Sequence, residues 1–175
     1  TGTGSAASFS HNLGVVPEMI IVKRRDGMGA NWGVYNAISG NTKYQALNDA
    51  NQDATSSTMW NNTTPTSSVF TVGSNGMSGA SGGNYVAFLF ATLDGISKVG
   101  SYTGTGSNVN VDCGFTAGAR FIIIKRLDGG DPNGDWYVYD TVRGIVSGND
   151  PYLLLNDSSA EVTNTDYIDP LNAGF

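Results

Sequence analysis

The 175 residues include one cysteine, Cys113, and one histidine, His11. A lone cysteine excludes an internal disulfide framework and a cysteine-based zinc cluster. A lone histidine removes most metalloenzyme and catalytic-triad architectures. No cofactor or metal is expected on these grounds. Charge is scarce too: 14% of residues are Asp, Glu, Lys or Arg, with 9 basic against 15 acidic, for a net charge of −6 and a pI near 4.4. Disorder usually needs low hydrophobicity with high net charge, whereas 39% of this chain is apolar, enough for a core. The acidic balance disfavours a protein that coats phosphate backbones, so no nucleic-acid partner is expected. No apolar run approaches the roughly 20 residues of a membrane span, and no basic start leads into an apolar stretch, so neither membrane insertion nor a secretory signal is expected. The chain opens on Thr1-Gly2-Thr3-Gly4 without an initiator Met, which reads as a processed product or a piece of something longer. The length suits one ordinary domain or two small ones.

Glycine is abundant instead, 24 of 175 residues, about twice the usual share, and the polarity comes from Ser, Thr and Asn. Self-similarity decides the organisation. Gly2-Thr3-Gly4-Ser5 recurs as Gly104-Thr105-Gly106-Ser107, and Ile20 to Gly27 recurs without a gap as Ile122 to Gly129, both 102 positions on. Asn31-Trp32-Gly33-Val34-Tyr35 returns as Asp135-Trp136-Tyr137-Val138-Tyr139 at 104, Tyr44 to Asp49 as Tyr152 to Asp157 at 108, and Pro65 and Phe70 as Pro170 and Phe175 at 105. The gaps between blocks fall among turn residues, as for loops on a shared scaffold. This ordered set reads as a tandem duplication: a first repeat over 1–94, a short linker at 95–98 and a second repeat over 99–175. The first copy runs on past Phe70 through Gly73-Ser74-Asn75-Gly76 into Asn84 to Ala91, while the second stops at Phe175, about 20 residues short of a full unit. Missing strands would leave an open sheet edge. The expectation is that the natural chain continues, with strand donation from a neighbouring molecule as the alternative.

The segments read as strands. Met19 to Val22 and Phe121 to Ile124 are short apolar runs bounded by turn signals. Each leads through a basic pair to Asp-Gly, a hairpin cue. The next strand alternates, with Trp136 and Val138 on one face and Tyr137 and Tyr139 on the other; its twin sets Trp32 and Val34 against Tyr35. Thr55 to Thr58, Gly73 to Gly76 and Gly79 to Gly83 are loops by composition, and no window shows a 3.6-residue apolar period. The fold class expected is all-β, as two tandem β-sandwich, jelly-roll-like modules, the second incomplete at its C-terminus. The short linker predicts that the modules touch.

Few residues invite chemistry. His11 and its counterpart Cys113 lack partners and read as strand-end side chains. Asp26 and Asp128, each followed by glycine, read as turn formers, although Asp128, Asp131 and Asp135 could also gather around Ca²⁺, which wants six to eight oxygens. A glycosidase needs two carboxylates flanking a sugar bond. Asp128 with Asp135, or Asp166 with Asp169, would be the pairs, and neither is matched in the first copy. Trp32 and Trp136 could stack on sugars, but their phase with Val34 and Val138 places them on the core face. Tyr35, Tyr137 and Tyr139, on the opposite face, are then the candidates for ligand or subunit contact. Lys23, Arg24, Lys125 and Arg126 read as a solvated rim. Gly2 to Gly4 and Gly79 to Gly83 lack the following helix and Gly-Lys-Ser/Thr ending of a phosphate loop, and Asn62-Thr63-Thr64 matches a glycosylation sequon with nothing else to support it.

The strings Gly14-Val15-Val16-Pro17-Glu18-Met19-Ile20-Ile21-Val22-Lys23-Arg24 and Ala80-Ser81-Gly82-Gly83-Asn84-Tyr85-Val86-Ala87 resemble a β-rich repeat of marine bacteriophage tail and fibre proteins. So do Gly118 to Arg126 and Trp136 to Asp140 in the second copy. The resemblance covers essentially the whole chain. It implies a module often placed after a concanavalin-A-like lectin domain, with a second copy that usually continues past the point where this chain ends, and it transfers no catalytic motif. The function expected is a non-enzymatic structural module of a phage tail or fibre on the virion surface, serving as scaffold or host adhesion. Its partners would be further copies of itself or other virion proteins, with a host-surface glycan as ligand in the alternative lectin reading. A glycan depolymerase is the third alternative.

Overall fold

The computed structural model describes residues 1–128 and 134–175, and the protein is all-β. Among the described residues ten strands occur in chain order: β1 (Ala7–Ser10), β2 (Met19–Arg24), β3 (Gly33–Asn36), β4 (Lys43–Ala46), β5 (Ala54–Thr55), β6 (Val69–Val72), β7 (Tyr85–Phe90), β8 (Phe121–Lys125), β9 (Trp136–Asp140) and β10 (Leu153–Leu154). Among the described residues there is no helix. Strands β5-β4-β3-β2-β7 form a five-stranded sheet, β1-β6 a two-stranded one and β10-β9-β8 a three-stranded one. All pairings between these strands are antiparallel.

In the N-terminal half, one face of the five-stranded sheet contributes Ile20, Val22 and Tyr35 to a core that Phe70 and Val72 of β6 close from the opposite side. Met59 and Trp60 fill the space between them. They come from a Ser/Thr-rich segment that reads as loop, yet both are fully buried, and the Trp60 indole satisfies its N–H on the Lys43 carbonyl at 3.0 Å. The N-terminal Gly2–Gly4 segment threads past the glycine-rich turn before β7. Gly2 N–H donates to Gly83 O at 2.7 Å and Gly4 N–H to Gly79 O at 2.9 Å. A Cβ on Gly2 would overlap the Ala80 carbonyl, so this crossing requires glycine.

Between β2 and β3 the chain makes a longer excursion than the Asp-Gly pair suggests. The strands end at Arg24 and resume at Gly33, too far apart for a two-residue turn. Asp26 accepts from Arg24 Nε at 2.7 Å and from the Asn84 N–H at 3.1 Å. The residue read as a turn former therefore ties the end of β2 to the start of β7.

Local structure recurs along the chain at the spacing of the sequence blocks. Ser10 pairs with Val69, and Asp112 bridges to Gly174. Asn48 Oδ1 accepts the Trp32 N–H at 2.9 Å, and Asn156 Oδ1 accepts the Trp136 N–H at 2.8 Å. The turn after β3 closes through Gly40 N–H to Asn36 O, and the turn after β9 through Gly144 N–H to Asp140 O, both at 3.0 Å. In the C-terminal half a second core gathers Ala119, Ile122, Tyr139, Ile145 and Ile168.

The two halves pack together directly. Ile21 and Val34, on the face of β2 and β3 opposite the first core, form a third buried cluster with Trp136, joined by Met19, Trp32, Leu47 and Ile123. Each half presents the same strand face to the other, since Ile21 matches Ile123 and Trp32 matches Trp136 at the repeat spacing. Polar contacts reinforce the seam: Trp136 Nε1 donates to Ala46 O and Lys125 Nζ to Ala50 O, each at 3.0 Å. At Gly134 a Cβ would overlap the Ala50 carbonyl, so the backbones meet without room for a side chain.

Candidate functional site

This packing corrects the assignment of faces. Tyr35 and Tyr139, expected to point outward, are 3% and 2% exposed and belong to the two cores. Tyr137 is half-buried against the second core. The alternation itself is present, but the Trp/Val face is covered by the other half instead of forming each half's own core, so both faces of β9 are dry. Burial raises the hydroxyl of Tyr35, and raises that of Tyr139 far above the ordinary tyrosine range, with the Asp150 carboxylate adding to the shift. Neither ring offers a stacking surface to a ligand. The basic rim is also corrected in part. Lys125 lies half-buried over the Trp136 ring, 5.8 Å from its centroid, and loss of hydration lowers its ammonium. Lys23 repeats the arrangement over Trp32 at 5.4 Å.

The other residues singled out from sequence are occupied locally. His11 follows β1 and sits 3.2 Å from the Thr66 carbonyl through Nε2. Cys113 is half-buried, and burial raises its thiol. Asp128 is held by Arg126 Nε at 3.0 Å, and Asp135 by the Asn156 amide at 2.7 Å. Asp131 lies outside the described residues. Among the described residues, no three His, Cys, Asp or Glu side chains gather as metal ligands would.

Among the described residues, two surface features with polar or aromatic groups could meet a partner. One is a row of tyrosines in the C-terminal half. Tyr137 stands edge-on to Tyr152 at 5.1 Å, and Tyr152 leads to Tyr167 at 5.9 Å. Tyr167 is 65% exposed, so the row runs from the core to solvent. Its outer end is held by Asp150, which is fully buried and accepts the N–H groups of Tyr167 and Ile168 at 2.8 and 3.1 Å through Oδ2. Its Oδ1 has no partner among the described residues. The other feature is a depression of about 350 Å³ beside β4 and β5, lined by Asn31, Tyr44, Gln45, Asp49, Asn51 and Asp53 among others. Asp49 Oδ1 accepts from the Asn51 N–H and side-chain amide at 2.9 and 2.6 Å, and Asp53 faces Lys43 at 3.3 Å. The Gln45 amide nitrogen, in a side chain buried at 2% exposure, donates to nothing among the described residues. A hollow of amides and carboxylates with one aromatic ring can exchange hydrogen bonds with a polyhydroxylated ligand.

Over its full length, residues 1–175, the chain matches the family described as a domain of unknown function, DUF7483. The chain belongs to this family. No curated protein and no solved structure matches it.

In this DUF7483 chain, neither surface feature is fully legible in the sequence. Strand alternation points to Tyr137 but not to Tyr152 and Tyr167, which sit in a short bridge and a bend where alternation says nothing about facing. The depression combines residues from four separate segments. Only the density of Asn, Gln and Asp between Asn48 and Asp53 marks it in the sequence.

Proposed function

We propose that this chain is a non-catalytic structural module of a virion appendage, a phage tail or fibre, in which two tandem sandwich-like units act as one rigid block that carries contact loops. The observation that carries this reading is the seam itself. Equivalent faces of the two halves meet around Trp136, so relative motion of the units would expose Ile21, Val34 and an indole to water. A block built this way transmits load along a fibre and leaves its loops free for contact. The resemblance of its repeats to tail and fibre modules supports the same reading, and the natural assembly would be an oligomer or a complex with other virion proteins. The test is immunogold labelling of purified particles with an antibody raised against residues 1–175. Label on a tail or fibre supports the proposal, and particles that carry none contradict it.

A second reading, binding of host-surface glycans, is favoured by the polar depression and by the exposed end of the tyrosine row. Glycan-array binding by the intact chain would be compared with Asn51→Ala and Tyr167→Ala. Loss in the first variant places the ligand in the depression, and loss in the second places it on the row. An array without signal for the intact chain removes this reading.

A further inference from the structure

The two halves differ in what covers them. In the N-terminal half β7 lies along the outer edge of β2, with Met19 opposite Phe90, Ile21 opposite Phe88 and Lys23 opposite Val86. The equivalent edge, that of β8, has no neighbour: among the described residues β8 pairs with β9 alone. Thr141 N–H donates to Arg120 O on the β9 side. Antiparallel strands alternate their hydrogen-bonding direction residue by residue, so the N–H and C=O groups of Phe121, Ile123 and Lys125 point to the open edge.

Two further features of the C-terminal half are set for a partner that the N-terminal half already has. Arg24 and Asp26 form an ion pair whose carboxylate accepts the Asn84 N–H as the chain enters β7, and their side chains are 14% and 22% exposed. Arg126 and Asp128 form the same pair at 3.0 Å with side chains 51% and 91% exposed. The second carboxylate oxygen of Asp128 stands where its counterpart receives a strand. Likewise Gly2–Gly4 is gripped by Gly79 and Gly83, whereas its counterpart, Gly104-Thr105-Gly106, is exposed.

From these three features we infer that the edge of β8, the Arg126–Asp128 pair and the Gly104–Gly106 segment form one socket for an added segment from outside residues 1–175: a glycine-rich turn followed by an antiparallel strand with apolar residues at alternate positions. The template is Gly79 to Phe90 of the chain itself. There Tyr85, Ala87 and Leu89 pack onto the first core, and the equivalent side chains of the added strand would cover Ile122 and Ile124. The register follows: the residue two before the small apolar position enters opposite Arg126, and the N–H just before it meets Asp128. The chain's own β7 is engaged on β2, so it does not fill this place. This inference stands independently of the viral reading.

The probe is a synthetic peptide with the sequence of residues 73–91, titrated into the full 175-residue chain and followed by amide hydrogen exchange. Binding is expected to slow exchange at Phe121, Ile123 and Lys125 and to leave Met19, Ile21 and Lys23 unchanged. Asp128→Ala, at a surface position that leaves folding intact, is expected to weaken the peptide by roughly three- to tenfold, as loss of one ordinary net hydrogen bond at an exposed site does. A peptide with its Ala87→Asp change is expected not to bind. The inference is overturned by any of four results. One is no protection at millimolar peptide. Another is equal protection by the Ala87→Asp peptide. A third is equal affinity in Asp128→Ala. The fourth is protection of the same amides without peptide that rises with chain concentration, which assigns the edge to a second copy of the chain.

Discussion

The indole N–H of Trp136 donates to the carbonyl oxygen of Ala46 across the seam between the two halves, at 3.0 Å. The ring is 3% exposed and shares its cluster with Ile21 and Val34. One side chain of the C-terminal half therefore completes the outer face of the N-terminal sheet and satisfies a carbonyl at the end of β4.

Truncating that side chain should destabilise the whole molecule. Trp136→Ala is expected to cost about 3–5 kcal/mol, the range for deleting a buried large aromatic. Trp136→Phe keeps most of the apolar contact and loses the hydrogen bond to Ala46, for about 1–2 kcal/mol. Urea unfolding of the three proteins measures both values. An alanine variant within 1 kcal/mol of the parent would mean that the cluster contributes little.

The alternation in β9 shows how far the sequence could be read. Strands around Ile20 to Val22 and Ile122 to Ile124 are legible because apolar runs of that length between turn residues have no other home, and the repeat spacing is legible because the blocks are nearly gap-free. The facing of Tyr35 and Tyr139 is not legible. Alternation tells which residues share a face, and it tells which face is buried only when the other is solvated. Here the Trp/Val face is covered by the other half and the Tyr face by each half's own core, so polarity contrast is missing. Trp60 escaped for a different reason: it lies in a Ser/Thr-rich stretch outside any strand, and only the closed fold turns its ring inward.

The buried tyrosines give the protein an alkaline limit. Burial raises the hydroxyls of Tyr35 and Tyr139 in the folded state, so the unfolded chain releases those protons first. The stabilisation is fully present below the unfolded value of about 10 and is lost as pH rises toward the folded values. Stability is expected to fall above about pH 10, and Tyr139→Phe should flatten that fall. Tyrosinate absorbance followed with pH tests this, since the two buried hydroxyls should ionise only as the molecule unfolds. Smooth ionisation of every tyrosine in the folded protein would contradict it.

At the acid end Asp26 acts with the opposite sign. Its carboxyl is held below the usual carboxylate range, first by the Arg24 hydrogen bond, with the Asn84 N–H adding to it. Its contribution is present above about pH 4, the unfolded value, and is lost as pH falls through the depressed folded value. Asp26→Asn should therefore show a shallower loss of stability below pH 4 than the parent. Denaturant midpoints measured from pH 7 to pH 2 decide it, and parallel curves would remove Asp26 from the account.

Gly79 tests the close approach of the glycine-rich turn to the core. An added Cβ there would overlap the Gly73 carbonyl and press on Val72. Gly79→Ala is expected to cost about 1–3 kcal/mol, the usual penalty for overfilling a packed site. Thermal unfolding reads it, with an unchanged midpoint as the contrary result.

Hydrogen exchange of the Trp136 indole N–H in the intact chain tests whether the two halves form one packed block. A block predicts exchange as slow as that of the core amides of Ile20 and Val22, because opening the seam would require unfolding. Exchange at the rate of a free indole, while those amides stay protected, would mean that the halves separate readily in solution and that the seam does not hold.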